Sequence, residues 1–461
     1  MPLDWSANLG ADLTAWVYPV QRSTAEGLSL LTVVIERPAD GGPSSAGFMQ
    51  NLSFGANIKP TGFVLVDIAA GTAATPLRMG ESWAASSDTT EIAAGSSLTA
   101  TVAFPAVSAG AATVQVMLPG FDLVEVPVVE QDSSTWPEDA RQWAGSPAKT
   151  GAFAPVESSA LSLVTQSTVE VAGDQVVVDL PADVLFAFNR SALSTKAQKV
   201  VDKAGRKIAE AAAESGEITV VGHTDDQGTA SDNAKLSKAR AEAVADRLRP
   251  ILGSGFTVKT EGKGSTEPTA KGTSEEARAA NRRVEIEFTG RSANKLVVVD
   301  DVPTELPATT GVVVSGMEVA HVPASILNPE LDARMVSLRR SGTKLVGVLE
   351  IATPNVRAES AALFGDTTLQ RRGFENRQFD NLSIANVNLL SATLRTFSSS
   401  FRPGGDQAAS PRLVGSDAAP ILPVPGGPRR YVLVWPDADP SATTVTVDAP
   451  DAYRFLDVPI G

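Results

Sequence analysis

The sequence contains no cysteine, and its two histidines are His223 and His321. The lack of cysteine excludes disulfides, thiolate metal sites and a cysteine nucleophile. Two histidines are too few for a multi-histidine metal site, and no Ser-His-Asp set has supporting spacing. We therefore expect a non-catalytic protein without a metal or another cofactor.

Long apolar runs are also missing. No stretch of about 18 apolar residues occurs, so we expect no transmembrane segment in this chain. The first residues, Met-Pro-Leu-Asp-Trp, lack a basic region followed by an apolar one, so no signal peptide is visible. We expect an exported protein whose signal has been removed; a cytoplasmic protein is the alternative.

Basic residues are outnumbered. The 39 Lys and Arg residues stand against 53 Asp and Glu residues, which gives a net charge of −14. Nucleic acids and anionic membrane surfaces require a basic face, so the balance argues against both as main partners. It is compatible with a cationic or zwitterionic ligand.

The length of 461 residues exceeds one ordinary core and predicts about three domains. We expect a multidomain chain with a central domain between two β-rich arms. The predicted divisions are a first arm at 1–130, a linker at 131–165, a central domain at 166–290, a linker at 291–311 and a second arm at 312–461. The first linker is polar and rich in Pro and Ser, and we expect any docking of it to run through Trp136 and Trp143.

Both arms are predicted to be β-sandwiches of Ig-like type. Short apolar runs such as Leu28–Ile35 and Leu98–Phe104 are bounded by turn residues, as in antiparallel sandwiches. An internal repeat links the arms, because Phe104–Pro127 resembles Trp435–Pro459 with one inserted residue. The second arm is therefore predicted to repeat the fold of the first.

The central domain alternates strands with helices. The patterns predict helices over roughly 194–214 and 232–249, with a further helical piece near 274–282. Predicted strands include Val176–Leu180, Val184–Phe188, Ile218–Val221, Phe256–Val258 and Val284–Phe288. This order indicates an α+β sandwich of β-α-β-α-β type with helices over one sheet.

Three separated motifs occur in this region. They are Val220-Val-Gly-His-Thr-Asp225, Leu236-Ser-Lys-Ala-Arg-Ala241 and Asn281-Arg-Arg-Val-Glu-Ile286. In order and spacing they resemble the OmpA-like peptidoglycan-binding domain family, over residues 184–288. The resemblance implies a domain that binds the stem peptide of peptidoglycan by its diamino acid, usually meso-diaminopimelate.

Such a ligand presents an ammonium group and a carboxylate a few ångströms apart, so its site needs one fixed anion and one fixed cation. Asp225 follows a predicted strand and is the expected ammonium acceptor, while Arg240 in the next helix is the expected carboxylate clamp. Arginine suits the carboxylate because its planar fork donates two parallel hydrogen bonds. The alternative is an Asp225–Arg240 salt bridge that only braces the loop.

The resemblance adds four further candidates. Asn233 is expected to contact the ligand or the loop, with an N-cap role as the alternative. Thr224 flanks the site, and Arg282 is expected near the pocket unless it only braces acidic neighbours. Asn189 stands where the family usually has Asp, so one negative charge is lost and affinity could fall by about 1 kcal/mol or more.

The leading hypothesis is a non-catalytic protein of the periplasm, cell envelope or cell wall that binds peptidoglycan and anchors its arms there. The second is an adhesion or assembly protein whose arms bind protein partners, with the central domain mainly structural. Exposed apolar patches or edge strands on the arms would favour the second hypothesis.

Overall fold

The computed structural model describes residues 2–5, 13–40, 62–89, 92–118, 123–270, 272–291, 305–323, 330–352, 386–403, 412–415, 428–437 and 439–461. Sheet dominates both ends of the chain, and the long helices lie in the middle. None of the helices in these ranges has both the length and the apolarity needed to cross a membrane.

The first arm is built from short strands. They are β1 (Pro2–Trp5), β2 (Leu13–Val17), β3 (Val20–Ser23), β4 (Leu28–Glu36), β5 (Val64–Asp67), β6 (Thr72–Ala74), β7 (Arg78–Met79), β8 (Ser82–Trp83), β9 (Ala85–Ser87), β10 (Ser97–Pro105), β11 (Thr113–Met117) and β12 (Val124–Glu130). Strand β4 lies between β2 and β10, and β11 lies between β5 and β12. Buried apolar side chains from these strands form one core.

Residues 131–165 differ from the linker prediction. They contain a 3-10 helix (Ser133–Thr135), helix α1 (Glu138–Gly145) and strands β13 (Lys149–Thr150) and β14 (Ala154–Ser162). Trp136, Ala140 and Ala144 are buried against leucines of β4. Ala140 and Ala144, four residues apart, lie on one face of α1, and Trp136 precedes the helix. The burial of Trp136 agrees with the expected docking through this residue, but the polar composition concealed the helix and the strands.

The central domain contains one five-stranded sheet with helices on one face. Its elements are β15 (Thr168–Ala172), β16 (Gln175–Pro181), α2 (Ala182–Leu185), α3 (Thr195–Ala211), β17 (Gly216–His223), α4 (Ala230–Leu252), β18 (Phe256–Gly264), α5 (Glu275–Asn281) and β19 (Arg283–Thr289). The strand order is β15-β16-β19-β17-β18, with β17 and β18 parallel and the other neighbours antiparallel. The α+β class is confirmed.

The predicted strand Val184–Phe188 is wrong. Its first two residues belong to the short helix α2, where Ala182 and Leu185 are buried, and the chain continues in a loop. A five-residue apolar run does not distinguish a strand from a buried helical turn by periodicity alone. The fifth strand of the central sheet is instead β15, which precedes β16 and was not predicted.

Two glycines let helix α4 lie close to the sheet. A Cβ atom on Gly222 would overlap the carbonyl oxygen of Ser237, and one on Gly262 would lie 2.5 Å from the backbone nitrogen of Lys238. The Ser237 hydroxyl also accepts a hydrogen bond from the Gly264 nitrogen at 3.0 Å. This close approach fixes α4 over the ends of β17 and β18.

The second arm repeats several pairings of the first. Its strands are β20 (Val312–Ser315), β21 (Ala320–Val322), β22 (Leu331–Ser341), β23 (Lys344–Ala352), β24 (Asn388–Leu390), β25 (Leu394–Thr396), β26 (Ser400–Phe401), β27 (Arg412–Leu413), β28 (Arg429–Pro436), β29 (Thr444–Ala449) and β30 (Tyr453–Pro459). Antiparallel β29–β30 matches β11–β12, and parallel β20–β30 matches β3–β12. That either arm is an Ig-like sandwich stays a prediction.

The predicted linker 291–311 is described only in part, because residues 292–304 lie outside the described residues. Within the described part, Arg454 Nη1 donates a hydrogen bond of 2.6 Å to the carbonyl oxygen of Pro307. This contact holds residues near 307 against the second arm.

The arms pack against each other around β14. This strand pairs with β6 of the first arm, β15 of the central domain, and β25 and β26 of the second arm. Val156 of β14 shares one buried apolar cluster with Val66 and Ile68 of the first arm and with Val346 and Phe401 of the second. The chain thus joins both arms and the central sheet through one strand.

Candidate functional site

A pocket of about 1120 Å³ lies beside the start of α4. Its walls come from the loop after α2, the loop between β17 and α4, and the region of α5. All of the residues predicted for the site line it: Asn189, Thr224, Asp225, Asn233, Arg240 and Arg282. Residues separated by 93 positions in the sequence therefore meet at one cavity, and their individual roles stay predictions.

The loop between β17 and α4 holds Asp225 by backbone hydrogen bonds. The Thr224 nitrogen donates to the Gly264 oxygen at 2.9 Å, and the Gln227 nitrogen donates to Asp225 Oδ1 at 3.2 Å. The Thr224 hydroxyl donates to the Asp225 carbonyl oxygen at 3.0 Å. These contacts fix the carboxylate at the pocket wall.

Asn233 lies inside α4 and ties the same loop to the helix. Its Nδ2 atom donates to the Gln227 oxygen at 2.9 Å and to the Asp225 oxygen at 3.4 Å. The N-cap is Thr229, whose hydroxyl accepts a hydrogen bond from the Asp232 nitrogen. The alternative N-cap role for Asn233 is therefore wrong, and the contacts favour the loop role.

Arg240 is a buried cation at the pocket, with 4% of its surface exposed. Its Nε donates to the Arg190 carbonyl oxygen at 3.0 Å, and its guanidinium carbon lies 5.2 Å from the centre of the Phe186 ring. Within the described part of the chain, no carboxylate oxygen lies within 4 Å of it. Burial lowers the pKa of Arg240, because desolvation disfavours the charged form.

Arg282 is surrounded by acidic groups. It forms ion pairs with Asp183 at 2.8 Å, with Asp225 at 2.8 Å and with Glu275 at 2.6 Å. Hydrogen bonding to Asp183, followed by that to Asp225 and Glu275, raises its pKa despite the opposing effect of burial. Asp225 thus pairs with Arg282, and the alternative Asp225–Arg240 salt bridge is not formed between these two described side chains.

Asn189 adopts a left-handed backbone with a φ of 55°. Asparagine tolerates this conformation better than most residues, which suits a tight turn. The Arg190 nitrogen donates to the Ala187 oxygen at 2.9 Å and closes the turn. Phe188, beside Asn189, is 91% exposed and also lines the pocket.

Sequence reasoning missed several pocket residues. Asp183 was hidden by the incorrect strand assignment, and Glu275 and Arg278 lie on α5 with no motif of their own. Arg278 Nε contacts Asp226 Oδ1 at 2.9 Å, and hydrogen bonds from Gln227 and then Arg278 lower the pKa of Asp226. The sequence signal that was available for Asp183 is its position as an acidic residue shortly after the buried strand β16.

The pocket supplies charged recognition groups. Arg240 can accept an anion as a partner, and the carboxylate of Asp225 can accept hydrogen bonds from a cation. Nowhere in the described ranges do three or more metal-ligating side chains form a group suited to a metal ion. The arrangement is suited to binding a ligand that carries both signs of charge.

Comparisons with known proteins point to the same region. Residues 185–282 match the model of the OmpA family. Outer membrane protein A of Bordetella avium is 38% identical over 109 residues, which are 24% of this chain and 55% of that protein. Outer membrane porin F of Pseudomonas aeruginosa is 38% identical over 112 residues, 24% of this chain and 31% of that protein.

Among solved structures, the cell wall anchor of the T6SS from Pseudomonas aeruginosa is 33% identical. That match covers 28% of this chain and 90% of the other, with a TM-score of 0.25. The chain spans about half the length of the Bordetella relative and less of the porin. Residues 185–282 of this chain form a domain of the OmpA family.

Proposed function

We propose that the central domain binds peptidoglycan without covalent chemistry, by gripping the diamino acid of the stem peptide. The observation that carries the proposal is Arg240, a buried guanidinium at a pocket with no carboxylate partner within 4 Å among the described residues. A buried charge without an internal counterion favours an external one.

The carboxylate of the ligand would be held by Arg240. Its Nε is occupied by the Arg190 carbonyl, and the terminal nitrogens make no hydrogen bond to a described residue. Charge-assisted hydrogen bonds from a buried guanidinium are stronger than those between neutral groups. The contact with Phe186 keeps the guanidinium plane in place.

The ammonium group of the ligand would be held by Asp225. This side chain is 15% exposed, and Arg282 Nη1 holds one of its oxygens at 2.8 Å. A carboxylate oxygen accepts more than one hydrogen bond, so an ammonium can join the Arg282 contact. Arg282 then acts as the brace that orients Asp225, and Thr224 and Asn233 fix the loop around it.

Asn189 would weaken the ammonium side of the clamp. An asparagine at this position supplies an amide where the family usually has a carboxylate, so the pocket has one negative charge fewer. We expect a loss of about 1 kcal/mol or more relative to an aspartate. Binding would be retained, because the Asp225 and Arg240 contacts do not depend on this side chain.

The arms would be carried to the wall by this domain. Their shared apolar cluster and their common strand β14 support one connected unit instead of two separate spacers. The matching pairings of β11–β12 and β29–β30 support one repeated β fold. A location in the cell envelope agrees with relatives called outer membrane proteins and with the structure called a cell wall anchor.

The test is sedimentation with purified sacculi. Wild-type protein is expected in the pellet, and Asp225→Ala and Arg240→Ala are expected to stay in the supernatant. Asp246→Ala and Arg249→Ala are matched controls, because these two residues pair with each other on an exposed part of α4. Their replacement removes the same charges as the two pocket variants. Circular dichroism should show that all four variants are folded.

Two results would contradict the proposal. Wild-type protein that stays in the supernatant would exclude wall binding under those conditions. Equal sedimentation of Arg240→Ala and Arg249→Ala would exclude the pocket as the binding site, even if the wall is bound.

Partner binding by the arms is a second candidate function. Tyr18 of the first arm is 51% exposed and Val313 of the second is 48% exposed. Exposed apolar side chains on β elements are available for contacts with other proteins. This candidate predicts that wild-type protein and both pocket variants sediment alike with sacculi. Tyr18→Ser or Val313→Ser would instead weaken capture of a protein partner.

A further inference from the structure

Phe188 is the most exposed large apolar side chain of the described residues, at 91%. Phe186, two positions earlier, is 6% exposed and lies under the Arg240 guanidinium. A phenylalanine normally stabilises a protein by leaving water, and this one does not. The residue lines the pocket that contains Asp225 and Arg240.

The turn that carries Phe188 is fixed on both sides by Arg240. On one side, the Phe186 ring contacts the guanidinium at 5.2 Å. On the other, the Arg190 carbonyl accepts the Arg240 Nε hydrogen bond at 3.0 Å. The Ala187–Arg190 hydrogen bond and the left-handed Asn189 complete the turn. Phe188 is therefore presented by a defined backbone at a fixed place beside the clamp.

We propose that Phe188 is a specificity-determining contact for the part of the stem peptide that continues from the clamped diamino acid. This inference rests on the proposed function. Asp225 and Arg240 bind the charged end of the ligand. The methylene and methyl groups of the adjoining peptide residues are then available for contact with Phe188. A rigid aromatic ring covers such groups at low entropic cost, because it has only two side-chain torsions to fix.

The location separates this role from the clamp. A free diamino acid engages Asp225 and Arg240 but has no adjoining residues to cover Phe188. A stem peptide contacts both the Asp225–Arg240 clamp and Phe188, so the Phe188 ring increases affinity only for the peptide. Phe188 would thereby favour diamino acid that is part of the wall over the free amino acid.

The experiment is calorimetric titration of the full chain with two probes. One is a synthetic alanyl-glutamyl-diaminopimelate tripeptide, and the other is free meso-diaminopimelate. For Phe188→Ala, we expect affinity for the tripeptide to fall about tenfold and affinity for free diaminopimelate to change less than about twofold. Phe188→Leu, which keeps apolar surface, should stay within about threefold of wild type for both probes.

Tyr18→Ala is the matched control, since it removes an exposed aromatic side chain far along the chain in the first arm. It should bind both probes as the wild type does. Unchanged tripeptide affinity in Phe188→Ala would overturn the inference and leave the proposed function standing. An equal loss for both probes would also overturn it, because Phe188 would then act only through the turn to Arg240.

Failure of the proposed function looks different. In that case wild-type protein binds neither probe, and Phe188→Ala matches it. That outcome removes the clamp and the Phe188 contact together.

Discussion

Buried arginines in the second arm and in the central domain differ in whether a carboxylate neutralises them. In the second arm, Arg395 and Arg454 are each 5% exposed, and both contact the fully buried Asp448, at 2.9 Å and 2.8 Å. In the central domain, Arg240 is 4% exposed, and no carboxylate among the described residues contacts it. Burial is the same in both places, but the charge environment is not.

The difference indicates two uses for the same side chain. Asp448 pairs with both Arg395 and Arg454 inside the fold, so these two guanidinium groups already have an internal partner. Burial lowers the pKa of Arg240, and Asp183 and Asp225 offset only part of that effect because both pair with Arg282. Among the described residues, Arg240 is therefore buried without a carboxylate partner, which agrees with its proposed role in holding the carboxylate of a ligand.

The largest effect on stability is expected at Asp448, which neutralises two buried arginines inside the fold. Asp448→Ala would leave Arg395 and Arg454 buried with no counterion from this carboxylate. We expect the free energy of unfolding of the second arm to fall by about 3–5 kcal/mol, measured by urea denaturation. Asp332→Ala is the control on the same arm, because its exposed pair with His321 should contribute less than about 1 kcal/mol. Equal losses in both variants would break the comparison.

His223 extends the comparison to a buried basic group that can lose its proton. It is 2% exposed, and neither ring nitrogen has a hydrogen-bond partner in the described part of the chain. Burial, aided by Arg283, lowers its pKa from 6.5 to about 4. Arginine keeps its proton at ordinary pH, so the buried charge of Arg240 persists, whereas His223 can be buried in its neutral form.

The pH dependence follows from that shift. The unfolded state binds a proton as pH falls below 6.5, whereas the folded state binds it near 4, so the contribution is present above 6.5 and lost between the two values. Wild type should lose about 3 kcal/mol more stability between pH 7 and pH 4 than His223→Leu does. Other acid-sensitive groups occur in both proteins, so only the difference between their unfolding free energies reports on His223. Parallel curves of unfolding free energy against pH in denaturation experiments would show that His223 is protonated when folded and would contradict the prediction.

The smallest effect on stability is expected at Arg240. Replacing it by methionine removes a desolvated charge at the cost of one hydrogen bond to Arg190 and one contact with Phe186. We expect the unfolding free energy of the central domain to stay within about 1 kcal/mol of wild type, while binding to the stem peptide is lost. A loss as large as that of Asp448→Ala, seen in the same denaturation assay, would mean that Arg240 is structural.

The predicted residues lie at one pocket, and their roles as ligand contacts stay predictions. Asp225 follows a strand and Arg240 lies in the next helix, so a short connection brings them to one wall. Asp183 was missed because five apolar residues were assigned to a strand and not to a helical turn. The ion pairs of Arg282 with Asp183 and Asp225 join distant segments, so no local pattern predicts them.

The same distinction applies to the arms. Alternating apolar residues placed strands such as β4 and β10 near their observed positions. The region 131–165 was predicted as a linker because its composition is polar, yet α1 and β14 are docked elements. Their docking depends on apolar surfaces of other segments, which composition does not report.

The sequence by itself determined the family, the α+β class of the centre and six of the residues that line the pocket, because strand and helix periods and motif spacing are local properties. Only the tertiary structure decided which of the described arginines have a carboxylate partner inside the fold and that Arg240 has none. That choice depends on which carboxylates come within a few ångströms, and ionic contacts of this kind form across segments far apart in the chain.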